Sequence, residues 1–157
     1  MATTQSPHIK GSDGRSLADA WRESGMMAYK GTTVAGFHNL FQIVGPNTGL
    51  GHSSMVFVIE SQIAYIVAAL RTMGEHGLSC VEPRADAQAA WNRSLHRGMA
   101  RTVWNTGGCS SWYLDEHGRN TTLWPRTTYT FRKQLSRFDV AAYDVTAAHP
   151  AREAMNA

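Results

Sequence analysis

At 157 residues, 43% hydrophobic and 17% charged, the chain is long enough for one domain with a sizeable core and short for two. Its formal charge is +3, and the fifteen Lys and Arg are spread out, so there is no dense basic run of the kind that marks a nucleic-acid footprint. Cys80 and Cys109 are the only cysteines and stand outside any Cys-x-x-Cys spacing, which excludes a zinc framework and suits a reducing cytoplasm; no metal site is expected.

Met1 to Lys10 reads as a flexible polar tail without an apolar leader, followed by one unit over residues 11–139. Asp13-Gly14 marks a tight turn. Ser16, with Asp19 three positions later, predicts a capped helix that stops near Gly25. Thr32 to Gly36 is β-prone, and the short apolar run Leu40 to Val44 predicts a buried strand ending at Gly45-Pro46. From Met55 the apolar residues Ile59, Ile63, Ile66, Val67 and Leu70 recur at helical spacing until Gly74 and Gly77, which predicts a long helix. Glu60, Ser61 and Gln62 interrupt it, so no membrane span is expected.

The stretch from Gly45 to Met55, GPNTGLGHSSM, is therefore a glycine-rich turn between a strand and a helix. Glycines allow a sharp turn and close approach of a ligand, and first-turn N–H groups without intrahelical partners favour an anion or a carbonyl oxygen. The same residues also serve if Gly49 and Gly51 merely turn the chain and Ser53 or Ser54 merely caps the helix. There is no Gly-Lys-Ser/Thr and no Gly-x-Gly-x-x-Gly, which leaves neither a P-loop nor a Rossmann fingerprint.

Ser79 to Pro83 predicts a short extended piece, and Asp86 to Ala100 a second helix, with Arg93, Arg97 and Arg101 along a solvated face. Thr102 to Phe138 is aromatic and reads as short strands and loops. Within it, Cys109 sits in a small-residue loop from Trp104 to Tyr113, suited to a nucleophile, a ligand wall or a structural thiol; no base is identifiable. Arg119, Arg126, Arg132, Lys133 and Arg137, interleaved with Trp124, Tyr129 and Phe131, resemble a single-strand nucleic-acid platform. Strand alternation, with Tyr129 and Phe131 on one face, accounts for most of that pattern. Residues 140–157 are alanine-rich and read as a flexible tail.

Three blocks, DGRSLADAW, GTTVAGFHNLFQIVGPNTGLGHSSMVFVIESQIAYI and TVWNTGGCSSWYLDEHGRNTTLWPRTTYTFRKQLSRFD, resemble the C-terminal part of class B flavoprotein monooxygenases, the Baeyer–Villiger and hydroxyacetophenone-type enzymes. The resemblance covers about Gly11 to Asp139. Where this chain has His38 and Ser53, the family commonly has proline and asparagine.

The resemblance implies an α/β fold: the C-terminal portion of a Rossmann-like FAD-binding domain (strand, Gly-rich loop, long helix), then a helix and an aromatic strand and loop region. It implies FAD and NADPH as cofactors, O2 as oxidant and a ketone-like substrate. The cofactor-binding residues it implies are Gly45, Asn47, Thr48, Gly49, Leu50, Gly51, His52, Ser53, Ser54 and Met55, at the pyrimidine edge of the flavin. Trp104, Gly107, Gly108, Cys109 and Trp112 would border the substrate or nicotinamide.

Both dinucleotide fingerprints, the Phe-x-Gly-x-x-x-His-x-x-x-Trp signature and the family's active-site arginine are absent from these residues. The expectation is a fragment that needs a complementary N-terminal chain, or self-associates, and is inactive alone. The alternative is a small basic module that binds nucleic acid or protein.

Overall fold

The structure, a computed structural model, describes residues 8–50, 54–99, 102 and 118–148. Helix α1 (Leu17–Ser24) begins where the Ser16 hydroxyl accepts the Asp19 N–H, and ends at Gly25. Gly14, at φ +81°, makes the preceding turn, across which Lys10 bridges Ser16. Leu17 and Trp21, one turn apart, pack with Ala28, Val34 and Phe37. Thr32 to Gly36 forms no strand; isolated bridges join Tyr29 to Thr33 and Val34 to Phe37 in successive turns.

The run Leu40 to Val44 is not a strand either, which corrects the Rossmann-like strand expected before the loop. A strand is defined by the neighbour that pairs with it, and none of the described residues offers one. Gln42 N–H donates to the Thr32 carbonyl, Val44 N–H donates to a side chain, and Val44 lies at φ +58°. Ile43 and Val44 are each 48% exposed.

Helix α2 (Met55–Glu75) follows. It is long and apolar enough to cross a bilayer by length and composition, contrary to expectation from its polar interruption, but Val58, Ser61, Gln62, Tyr65 and Ala69 are buried against the rest of the chain. Strand β1 (Leu78–Pro83) and helix α3 (Ala85–Met99) occupy the places their sequences predict.

Two segments depart from the sequence reading. Thr128 to Gln134 is helix α4, capped by the Thr127 hydroxyl, rather than a strand. Tyr129 is 72% exposed and Phe131 fully buried, so the two lie on different faces. Residues 140–147, expected within a flexible tail, form a 3-10 turn (Val140–Ala142) and strand β2 (Tyr143–Ala147), antiparallel to β1 with Val81 opposite Val145 and Pro83 opposite Tyr143. Residues 149–157 lie outside the described residues.

The core gathers α2, α3 and α4 around Val58, Tyr65, Leu95, Trp124, Phe131 and Leu135, with Leu50 and Met55 packed against it. Trp124 and Phe131 are thus core residues. Arg126 donates to Ser94, and Arg132 reaches Glu60 while covering the Phe57 ring, so these two arginines, like Trp124 and Phe131, are engaged within the chain.

Candidate functional site

The glycine-rich loop is fastened from below by a second segment. Asn47 N–H donates to Thr121 O and Gly49 N–H to Thr122 O, while Gly49 O accepts from Trp124 N–H, each at 2.8 Å. The buried Asn47 amide donates to the carbonyls of Asn120 (2.8 Å) and Leu123 (3.0 Å), and Thr48 Oγ1 donates to Gly45 O at 2.7 Å. A Cβ at Gly45 would lie 2.4 Å from Gly31 O, and one at Gly49 2.8 Å from Thr122 O. Glycine at these two positions answers a packing requirement of the chain itself.

From the other side the loop is clipped by α2. Gln62, fully buried, accepts the Val44 N–H at 2.9 Å and donates to Gly31 O at 2.8 Å and Thr32 Oγ1 at 3.2 Å. Val44 is β-branched at positive φ, a conformation that costs about 1–3 kcal/mol and persists where surroundings over-determine it. Gln62 supplies that constraint at the residue entering the loop.

The loop runs into the N-terminus of α2. The N-cap residue, Ser54, is exposed and makes no side-chain bond to the first turn, and no charged residue occupies that turn. Beside the loop lies a cleft of about 190 Å³ walled by Trp21, Gln42, Val44, Pro46 and Thr122 among others. The Gln42 amide nitrogen is buried with no acceptor among the described residues. The uncapped helix start fits the carbonyl edge of a flavin. The described residues offer no comparable set for its pyrophosphate or adenine.

Of the expected cofactor residues, Gly45, Asn47, Thr48, Gly49, Leu50, Ser54 and Met55 are brought together here. Asn47 and Thr48 are buried, and Leu50 and Met55 pack on the core, so their side chains hold the loop. Gly51, His52 and Ser53 lie outside the described residues, as do Trp104, Gly107, Gly108, Cys109 and Trp112. Sequence reasoning missed Gln62, Gln42 and the Asn120 to Trp124 support. The first had a signal: two polar residues, Ser61 and Gln62, on the buried side of an otherwise apolar helix.

A second polar cluster ties the C-terminal segment to the body. Asp139 accepts from Lys30 Nζ and Tyr65 OH, each at 2.8 Å, and from Tyr29 OH. Tyr65 OH meets Tyr143 OH at 3.0 Å, and Tyr143 OH meets Thr33 Oγ1 at 2.9 Å. Burial raises the Asp139 carboxyl, but the Lys30 ammonium and the tyrosine hydroxyls outweigh it and hold the pKa below the usual carboxylate range. Burial pushes the Lys30 ammonium down and the Tyr143 phenol up to about 12. These tyrosines stay neutral donors.

A protein from Streptomyces coelicolor named Baeyer-Villiger monooxygenase is 50% identical over 145 residues, 92% of this chain and 28% of that protein. A second Baeyer-Villiger monooxygenase, from Pseudomonas aeruginosa, is 53% identical over 139 residues, 88% of this chain and 26% of its own length. The chain is homologous to one segment of the Baeyer–Villiger monooxygenases. It spans just over a quarter of the length of these relatives. The crystal structure of the OTEMO complex with FAD and NADP shares the fold, with TM-score 0.74 and 23% identity over 87% of this chain and 26% of that one. No family model matches. The alternative of a small basic binding module finds no support among these relatives.

Proposed function

We propose that this chain supplies the flavin-edge loop of a Baeyer–Villiger-type monooxygenase, working with the remainder of such a protein to oxygenate ketones with NADPH and O2. The observation that carries the reading is the loop Gly45 to Leu50, fastened by Asn120 to Trp124 and clipped by Gln62, running into an uncapped helix N-terminus.

In this reading the backbone of Gly51 to Met55 would hold the N1 and C2-oxygen edge of FAD. The α2 dipole favours negative charge at that edge by about 0.3–1 kcal/mol. FAD, when bound, supplies the redox chemistry that protein side chains lack, accepting hydride from NADPH and passing electrons to O2. The chain's task is orientation: Asn47 and Thr48 fix the loop from inside, and Leu50 and Met55 anchor it on the core. Trp104, Gly107, Gly108, Cys109 and Trp112 are assigned to the substrate or nicotinamide side. Both dinucleotide fingerprints would come from the remainder of the protein.

The test is to co-express the chain with the part of the Pseudomonas relative that lies outside the matched segment, and to supply FAD, NADPH and a cyclic ketone. The expected product is an ester one oxygen atom heavier than the ketone, formed with one NADPH oxidised and one water released. NADPH oxidation that is indifferent to the ketone and yields no oxygenated product would remove the assignment.

A further inference from the structure

Helix α2 is apolar on two opposite faces. Its buried side carries Val58, Tyr65 and Ala69, while on the far side Val56, Ile63, Val67 and Leu70 are 59%, 45%, 40% and 54% exposed. Their spacings of seven, four and three residues place all four within one narrow stripe. Ile59 and Ile66, half-buried, flank it. A helix covered on one side only carries polar residues outward; one apolar all round belongs in the middle of a larger body.

We propose that the Val56–Ile63–Val67–Leu70 stripe is the docking surface for the part of a Baeyer–Villiger-type polypeptide that lies beyond the quarter matched here, and that it packs against an apolar layer of that part. This rests on the function proposed above. The relatives carry nearly three quarters of their length outside the matched segment. The stripe also starts at Val56, in the first turn of α2, so whatever covers it borders the candidate flavin edge. An occupant that brings the missing cofactor contacts makes use of that adjacency; a second copy of this chain brings none. A bilayer is disfavoured because Glu60 and Arg71, each four residues beyond a stripe residue, stand along its margin and would enter hydrocarbon.

The experiment co-expresses the full chain with the affinity-tagged complementary part of the Pseudomonas relative and measures co-purification and solution mass. The wild-type chain should co-purify as a one-to-one complex. Ile63→Lys with Val67→Glu should lower recovery at least ten-fold while its circular dichroism and melting midpoint match wild type, and Tyr129→Lys, at an exposed position of α4, should leave recovery unchanged. Equal recovery of the stripe variant, or no wild-type complex, overturns the proposal. So does a homodimer, or flotation with phosphatidylcholine–phosphatidylglycerol vesicles, that the stripe variant abolishes. A stripe-dependent complex that retains no FAD upholds the docking surface and overturns the flavin role; a flavin-binding complex indifferent to the stripe does the reverse.

Discussion

The Gln62 side-chain oxygen accepts the Val44 N–H at 2.9 Å, joining the middle of α2 to the residue that enters the glycine-rich loop. The same amide donates to Gly31 and Thr32, so one side chain fixes the relation between helix, loop entry and the Gly31 turn. Gln62→Leu keeps the volume and removes all three bonds, stranding buried backbone groups. The expected loss is about 2–3 kcal/mol in a urea titration; a change within error would show that the clip contributes nothing.

Val44 sits at φ +58° beside that clip. Asparagine tolerates the left-handed region and β-branched valine does not. Val44→Asn should therefore stabilise the chain by about 1 kcal/mol, raising the melting midpoint by about 2–4 °C. A lowered midpoint would mean that this backbone is unstrained or that the valine side chain contributes more than its exposure suggests.

Gly31 lies at φ +63°, and a Cβ there would stand 2.2 Å from Thr48 Cγ2. Gly31→Ala should cost about 2–4 kcal/mol from strain and overlap combined. Thr48→Ser removes the overlapping methyl and retains the hydroxyl that donates to Gly45 O. In a double-mutant cycle it should recover part of the loss, leaving the backbone strain; strict additivity would locate the cost elsewhere.

The legible parts of the fold were those that local chemistry decides. Ser16 with Asp19 gave the start of α1, and the apolar period with Gly77 gave the extent of α2. Leu40 to Val44 misled because an apolar run of strand length says nothing about whether a partner strand lies beside it. Thr128 to Gln134 misled because a threonine-rich, aromatic heptad satisfies period two nearly as well as 3.6, and the deciding Thr127 cap shows only in structure. Strand β2 was hidden by alanines; its pairing with β1 is a long-range event that no local window reports. At the site, the loop was legible as glycine-rich, yet its two described supports are distant along the chain: Asn120 to Trp124 hold it from 73 or more residues beyond Asn47, and Gln62 from 18 residues beyond Val44.

The Asp139 cluster makes an acid-side signature. Because the folded pKa lies below the unfolded value, Asp139 adds stability that is fully present above about pH 4 and disappears as pH falls through the folded value. The stability difference between wild type and Asp139→Asn should thus be largest near neutrality and shrink on acidification below the ordinary carboxylate range. Urea midpoints of both proteins across that range supply the check, and a difference that grows toward acid would reverse the assigned sign.

The most direct measurement of the central claim is visible flavin absorbance after gel filtration with excess FAD, for the chain alone and for its co-expressed complex with the remainder of a Baeyer–Villiger-type protein. The loop addresses one edge of the ring, too little contact to offset the cost of immobilising the whole cofactor. The expected result is a colourless chain alone and an equimolar flavin complex. A chain that is stoichiometrically yellow by itself, or a complex that forms and stays colourless, would contradict the role assigned to Gly45 to Met55.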